Sequence, residues 1–402
     1  MITYKEALSR LLADAKPIEG TELVPLLYSS GRVLAEDVAS PLAVPGWDNS
    51  QMDGYAVRVA DLAQASGANP VDLLVSDRIP AGAVGAQLAP KSVARIFTGA
   101  PIPEGADAVV PQELVEVLSD GLVRFKEAPS SGAWIRRRGS DIVQGSIVLK
   151  QGDRLTPAAI GMLASIGRAY VTVYRRLCVG IFFAGDELVQ PGEPLPPGGI
   201  YNSNRFMVRS LLVTLGCEAI DLGNVPDTLE ATVRAFENAA TSADVILTTG
   251  GMSVGEEDHI KTAVEKIGSL SVWRVRLKPG KPLAFGEVKG VPFIGCPGNP
   301  VAGFVVFLMM ARPYLLKRMG LSTFEVKPWK VRADFDWTKR GDRQEFVRVR
   351  RNEQGGLDIY PTQNSQVLSS CAWADGLVDI PVDSVVNKGD MVDYYPFCLF
   401  FA

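Results

Sequence analysis

The chain has 402 residues, 47% hydrophobic and 21% charged, enough for two to four globular domains with sizeable cores. A formal net charge of −4 supplies no basic field for nucleic acid or for an acidic membrane. Five scattered cysteines without a CxxC pair argue against a disulfide framework or a cysteine zinc site, and the single histidine, His259, excludes a histidine-cluster metal site.

The N-terminus, "MITYKEALSRLL", lacks a signal-peptide pattern, so a soluble cytoplasmic protein is expected. Thr3 and Glu6 form a capping-box pattern ahead of Leu8, Leu11, Leu12 and Ala15 on one helical face. Short β-type runs follow, "VDLLVSD", "SVARIFTG", "DAVVPQE", "LVRFKE" and "GSIVLKQGDRL", punctuated by glycine and proline; they predict a small β domain inserted early in the chain. "TPAAIGMLASIG" reads as a helix with Thr156 at its cap and Pro157 in its first turn.

From Leu177 strands and helices alternate. Strand "LCVGIFF" leads to helix "FMVRSLLVTLG", then strand "EAIDLGNV" and a helix capped by Asp227. Strand "DVILTT", helix "DHIKTAVEKIG" and strand "GVPFIGC" continue the series. This alternation predicts a doubly wound, mostly parallel α/β sheet covered on both faces. In "CPGNP", Asn299 suits an N-cap and Pro300 a first helical position, which sets the free N–H groups of a helix where anions are held. The apolar run after Pro300 is broken at Arg312 and Pro313, too soon to span a bilayer. After Lys327, "KVRADFDW", "EFVRVRR", "GLDIYP" and "MVDYYPF" predict a small C-terminal β barrel or sandwich. The expected organisation is 1–44 with 149–176 as an N-terminal helical and linker region, 45–148 as the inserted β domain, 177–326 as the α/β domain and 327–402 as the C-terminal β domain.

Ligands of an open α/β sheet lie outside the carboxyl ends of its strands. The loops there carry Asp186 and Glu187; Asp227; Gly250, Gly251, Ser253, Gly255 and Asp258; Lys278 and Lys281; and Pro297, Gly298 and Asn299. Carboxylates, glycine-rich backbone and two lysines on one edge suit a phosphate-bearing ligand held with a divalent ion. Taken singly, Asp227 reads as well as an N-cap, and the lysines as solvated charges. Neither GxxxxGK[ST] nor GxGxxG occurs. In the inserted domain, Asp53, Thr98 and the arginines of "WIRRRGSDI" read equally as turn chemistry.

Over nearly its whole length the chain resembles the molybdopterin molybdenumtransferase family (MoeA, and the E domain of gephyrin). The resemblance rests on "DNSQMDGYAV", "TGAPIPEGADAVV", "RRRGSDI", "AGDEL", "NVPDT", "TTGGMSVGEED", "KPGKPLAFG", "PGNPVAGFVVF" and "NSQVLSSCAWADGLVDIP", in that order. It implies an elongated homodimer with shared active sites and a molybdopterin-binding α/β domain. It implies Mg²⁺-dependent insertion of molybdate into adenylylated molybdopterin with release of AMP, and contact with the adenylyltransferase that makes that substrate. By position it implies catalytic roles for Asp53, Thr98, Glu187, Asp227, Asp258, Lys278 and Lys281, with Glu187, Asp227 and Asp258 holding the metal. Arg348 and Ser370 fall where ligand contacts from the C-terminal domain are expected. One departure is Ala184, which precedes "GDEL" where the family usually has Ser or Thr. Two alternatives stay open: a molybdopterin carrier or scaffold without turnover, and a relative that uses tungstate.

Overall fold

A computed structural model describes residues 1–250, 259–280 and 282–401, with backbone only at 272–274 and 282. The predicted capping box opens the first helix, Tyr4–Ala13: the Glu6 N–H donates to Thr3 Oγ1 at 3.2 Å, and the Thr3 N–H to Glu6 Oε2 at 2.9 Å. Ahead of it, Ile2–Thr3 pairs in parallel with Val275–Arg276, so the helix lies on the α/β core, where Ala7 and Leu11 are buried. The rest of the N-terminal region includes an antiparallel pair, Thr21–Pro25 with Tyr170–Tyr174. Together with helix Pro157–Ser165, capped by Thr156 as expected, it encloses a core of its own around Leu34, Leu163 and Val173.

The β runs between residues 54 and 125 form a six-stranded sheet in the order Ala108–Pro111, Gly54–Val57, Ser92–Ile96, Val71–Ile79, Leu122–Phe125 and Val115–Val117. Gly54–Val57, inside "DNSQMDGYAV", lies, like Val115–Val117, outside the β runs that periodicity singled out. Its first residue has to be glycine, because a Cβ there would lie 2.1 Å from the Val110 carbonyl oxygen.

Four parallel strands build the α/β unit, in the order Glu218–Val225, Cys178–Ala184, Val245–Thr249 and Val291–Cys296. Two antiparallel strands, Pro282–Val288 and Gly268–Lys278, extend it. Helices Leu229–Ala240 and His259–Ile267 cover one face over Phe182, Phe236 and Phe293, whose rings meet edge to face at 4.9 Å. Such contacts add about 0.5–1.5 kcal/mol each beyond burial. Helix Ser203–Leu215 and the apolar helix after Pro300 cover the other face.

That apolar helix does not stop at Arg312 and Pro313. It runs from Pro300 to Arg318, changing to π-helical hydrogen bonding over Phe307–Ala311. Pro313 has no N–H to offer the Met309 carbonyl, and a wider turn before a proline is a known way to relieve that conflict. The Tyr4 hydroxyl donates to the Met309 oxygen instead, at 3.2 Å. Arg312 is buried but donates to the carbonyls of Phe400 at 2.9 Å and Phe324 at 3.1 Å, and burial pushes its guanidinium down to about 10. The helix is long and apolar enough to cross a membrane, yet most of it is buried inside the protein as a core helix.

The C-terminal strands Gln344–Arg351, Gly376–Ile380, Met391–Pro396 and Trp329–Arg332 are antiparallel neighbours in that order. They are joined to the α/β sheet by a short parallel ladder, Leu277 to Gln344 and Lys278 to Glu345. One sheet of 12 strands therefore crosses both C-terminal units.

Candidate active site

The loops singled out by the strand-end argument converge. Gly185, Glu187, Asp227, Gly250, Lys278, Pro279, Gly280, Pro297, Gly298 and Asn299 all line one cleft of about 1090 Å³. Its other wall comes from the C-terminal domain, through Arg343 and Gln363–Gln366. Gly251, Ser253, Gly255, Asp258 and Lys281 lie outside the described residues.

The middle of the cleft floor is backbone. Gly250 has φ +91° and donates its N–H to the Cys296 carbonyl at 3.3 Å. A Cβ on Gly250 would sit 2.6 Å from the Ala184 oxygen, and one on Gly298 would sit 3.2 Å from the Gly250 Cα. Three strand ends thus touch through their main chains, which leaves room above them for a ligand. Ala184 lies on this floor and offers no hydroxyl.

One end of the cleft is acidic. Asp186 and Asp227 exchange bonds: the Asp227 N–H donates to Asp186 Oδ1 at 3.1 Å, and the Asp186 N–H to Asp227 Oδ2 at 3.3 Å. This corrects the N-cap reading. Helix Leu229–Ala240 is capped by Thr228, whose Oγ1 accepts the Ala231 N–H at 3.2 Å. Asp227 instead ties two strand-end loops together. No group of three potential metal ligands occurs among the described residues. Glu187 and Asp227 are nonetheless hard oxygen donors, and Mg²⁺ typically takes one or two carboxylates with water and substrate phosphates, so this donor set fits it.

The other end is basic. Lys278 is not a free charge: its Nζ lies 2.9 Å from Glu345 Oε2 and 3.0 Å from Oε1. At "CPGNP", Asn299 occupies the N-cap position, but its side chain donates to Ser365 Oγ at 3.1 Å instead of capping. The Val301 N–H goes to the Ser365 carbonyl at 3.0 Å, so the helix start expected to receive an anion is partly taken by the C-terminal domain.

Four predicted residues stand apart from this cleft. Asp53 Oδ1 accepts both the N–H and the hydroxyl of Thr98 at 2.8 Å, which holds its carboxyl below the usual range. Both belong to the inserted domain, and neither lines the cleft of its own chain. Arg348 and Ser370 are buried and do not line the cleft. Arg348 Nε donates to Ser370 Oγ at 3.2 Å, and the Arg348 N–H to Gln363 Oε1 at 2.9 Å, so the pair holds the loop that forms the wall. Sequence reading missed Asn202, Asn204, Arg343 and Gln363–Gln366. Asn204 Nδ2 donates to the Gly298 carbonyl at 2.6 Å and to Thr249 Oγ1 at 3.3 Å, pinning two strand ends together. "YNSN" before the helix was a legible capping signal, since Asn202 caps it. Asn364–Gln366 open the quoted "NSQVLSSCAWADGLVDIP" without having been singled out, whereas Arg343 and Gln363 carried no local signal.

Three family models match in series. They are the MoeA N-terminal region (domain I and II) at residues 2–167, the probable molybdopterin binding domain at 180–317, and the MoeA C-terminal region (domain IV) at 330–397. The chain is 40% identical to the molybdopterin molybdenumtransferase of Haemophilus influenzae over 99% of both chains. It is 38% identical to the Bacillus subtilis protein of that name, over 94% of this chain and 90% of the other. A crystal structure of the molybdopterin biosynthesis moeA protein from Pyrococcus horikoshii superposes with a TM-score of 0.87 at 31% identity, covering 98% of this chain and 100% of that one.

Proposed function

Because the chain belongs to the MoeA family of molybdopterin molybdenumtransferases, we propose that it performs the metal-insertion step of molybdenum cofactor biosynthesis. Molybdate and adenylylated molybdopterin are the substrates. Two molybdate oxygens give way to the two dithiolene sulfurs, and the phosphoanhydride takes up water to release AMP, so one water is released overall.

The observation that carries this reading is the sorting of charge with strand order among the residues that line a single cleft. Asp227 and Glu187 follow the first two parallel strands, Gly250 and Gly298 follow the next two, and Lys278 and Arg343 lie at the ladder to the C-terminal sheet. Glu187 and Asp227, with Asp258, would hold Mg²⁺ against the diphosphate. The ion, when bound, draws charge from the phosphate oxygens and eases departure of AMP. Gly250 and Gly298 let the main chain approach the pterin, and Lys278 and, by the family resemblance, Lys281 would meet its oxyanions. Asn204 and the Asp186–Asp227 exchange keep the strand ends in register, so that the groups need no rearrangement at reaction.

Asp53 and Thr98 complete the cleft of a partner subunit in a homodimer, which accounts for a paired carboxylate and hydroxyl away from their own chain's cleft. The same reading divides the chain at 1–44 with 149–176, 45–148, 177–326 and 327–402. It places the protein in the cytoplasm, receiving its substrate from a molybdopterin adenylyltransferase. The test is to incubate the purified protein with adenylylated molybdopterin, molybdate and Mg²⁺ and follow AMP. Stoichiometric AMP that depends on molybdate and Mg²⁺ is expected; pterin binding without AMP would identify a carrier.

A further inference from the structure

We propose that Arg343 binds a tetrahedral oxyanion of the substrates, as the cation of the cleft whose charge the protein leaves unneutralised among its described lining residues. The proposal rests on the transferase reading above. Lys278 and Arg343 are the two cations among those residues. Lys278 is matched by Glu345, a buried carboxylate at 2.9 Å. Among the described residues Arg343 has no comparable partner: its one ion pair there is with the adjacent Asp342, at 3.8 Å, where the aspartate side chain is 81% exposed. A pair of that length and exposure contributes little and leaves the guanidinium fork available.

The surroundings fix the backbone that carries that fork. Gln344, next in sequence, donates to both carboxylate oxygens of Asp379 at 2.8 Å. Glu345 holds Lys278, and residues 344 and 345 are hydrogen-bonded into the ladder with 277 and 278. On the other side, the Gly341 carbonyl accepts the Asp383 N–H at 2.9 Å. Arg343 is thus held in a short segment anchored at both ends, with its side chain 27% exposed and lining the cleft. A planar fork carried on an anchored backbone suits two-point binding of a tetrahedral dianion. Two groups have that chemistry here: molybdate, and the phosphate that links the pterin to AMP.

Arg343→Gln and Arg343→Lys separate these sources. AMP release is measured with molybdate varied at saturating pterin, and with pterin varied at saturating molybdate. Arg343→Gln is expected to raise one KM at least tenfold while moving the other less than threefold, and the substrate affected names the oxyanion. Arg343→Lys should recover only part of the loss, because an ammonium cannot make the two-point contact. Both KM values within twofold of wild type would overturn the assignment. So would an equal rise in both accompanied by a lower melting temperature, which marks a structural role. If the wild-type protein releases no AMP, the transferase reading fails by itself. Arg343 is then judged by calorimetry with molybdate and with AMP, where unchanged affinity for both in Arg343→Gln would overturn the proposal and a tenfold loss for either would support it.

Discussion

Lys278 Nζ lies 2.9 Å from Glu345 Oε2 at the rung where the α/β sheet becomes the C-terminal sheet. A residue of the proposed site and a buried carboxylate of the next domain therefore form one unit. Lys278→Met leaves Glu345, which is 7% exposed, without its counter-charge. The Lys278 side chain is 40% exposed, so solvent relieves part of the penalty. A loss of about 1–2 kcal/mol is expected from a charged hydrogen bond so discounted. Adding Glu345→Gln should restore most of it in urea unfolding; a double variant no more stable than Lys278→Met would show that the pair is not coupled.

Asp227 and Thr228 separate two roles that adjacent residues can blur. Thr228 caps the helix, so Thr228→Ala should cost about 1 kcal/mol and leave AMP release per folded molecule near wild type. Asp227→Asn should do the reverse, with a near-native melting temperature and a severe loss of turnover. Equal turnover in both variants would remove Asp227 from the reaction.

The floor of the cleft depends on glycine at 250. Gly250→Ala meets both a φ of +91° and the Ala184 carbonyl oxygen at 2.6 Å. Strain of this kind costs about 1–3 kcal/mol. Gly298→Ala, with its nearest contact at 3.2 Å and no positive φ, should be milder. Thermal melts would rank the two, and the reverse ranking would contradict the described turn.

These residues also show what a sequence can and cannot disclose. The capping box at Thr3, the alternating strands and the loops at their ends are local patterns, and the cleft floor lies where those loops converge. The wall formed by Arg343 and Gln363–Gln366 depends on a ladder between residues 277 and 344, a pairing with no local signature. The family resemblance alone makes Arg348 a candidate ligand contact; its burial is set by Ser370 and Gln363, partners distant in sequence. The helix after Pro300 runs on past Pro313, and Tyr4, from the other end of the chain, donates to the Met309 carbonyl that the proline cannot serve. Local chemistry found the strand ends, and tertiary pairing decided what faces them.

Acid should weaken the amino-terminal end of the parallel sheet through Asp244. Burial alone would raise its pKa, but bonds from Arg175 at 2.6 and 2.8 Å and from the Cys178 N–H at 2.8 Å outweigh burial, so the carboxyl titrates below its usual range. A depressed folded-state pKa means stability that is fully present above the unfolded value, about 3.9, and lost as pH falls through the folded value. Asp244→Asn should cost about 1–2 kcal/mol at pH 7, since Arg175 is about one-third exposed. Below pH 4 the difference between the two proteins should shrink. A constant difference across that range would show that the ion pair does not set the acid limb.

The shared-site reading makes the most demanding prediction. Asp53 and Thr98 hold each other at 2.8 Å but line no part of their own chain's cleft, whereas Asp227 does. In an isologous dimer, each site would combine Asp53 of one chain with Asp227 of the other. Asp53→Ala and Asp227→Ala should each be inactive as pure homodimers. Unfolded and refolded together, some dimers carry one substitution in each chain. One site in such a dimer then holds both lesions and the other holds neither, so activity returns on mixing, approaching one wild-type site per mixed dimer. Native mass spectrometry can count those dimers by subunit mass if one variant carries a tag. Mixed dimers that form and stay inactive would place each site within a single chain and leave Asp53 and Thr98 a structural pair.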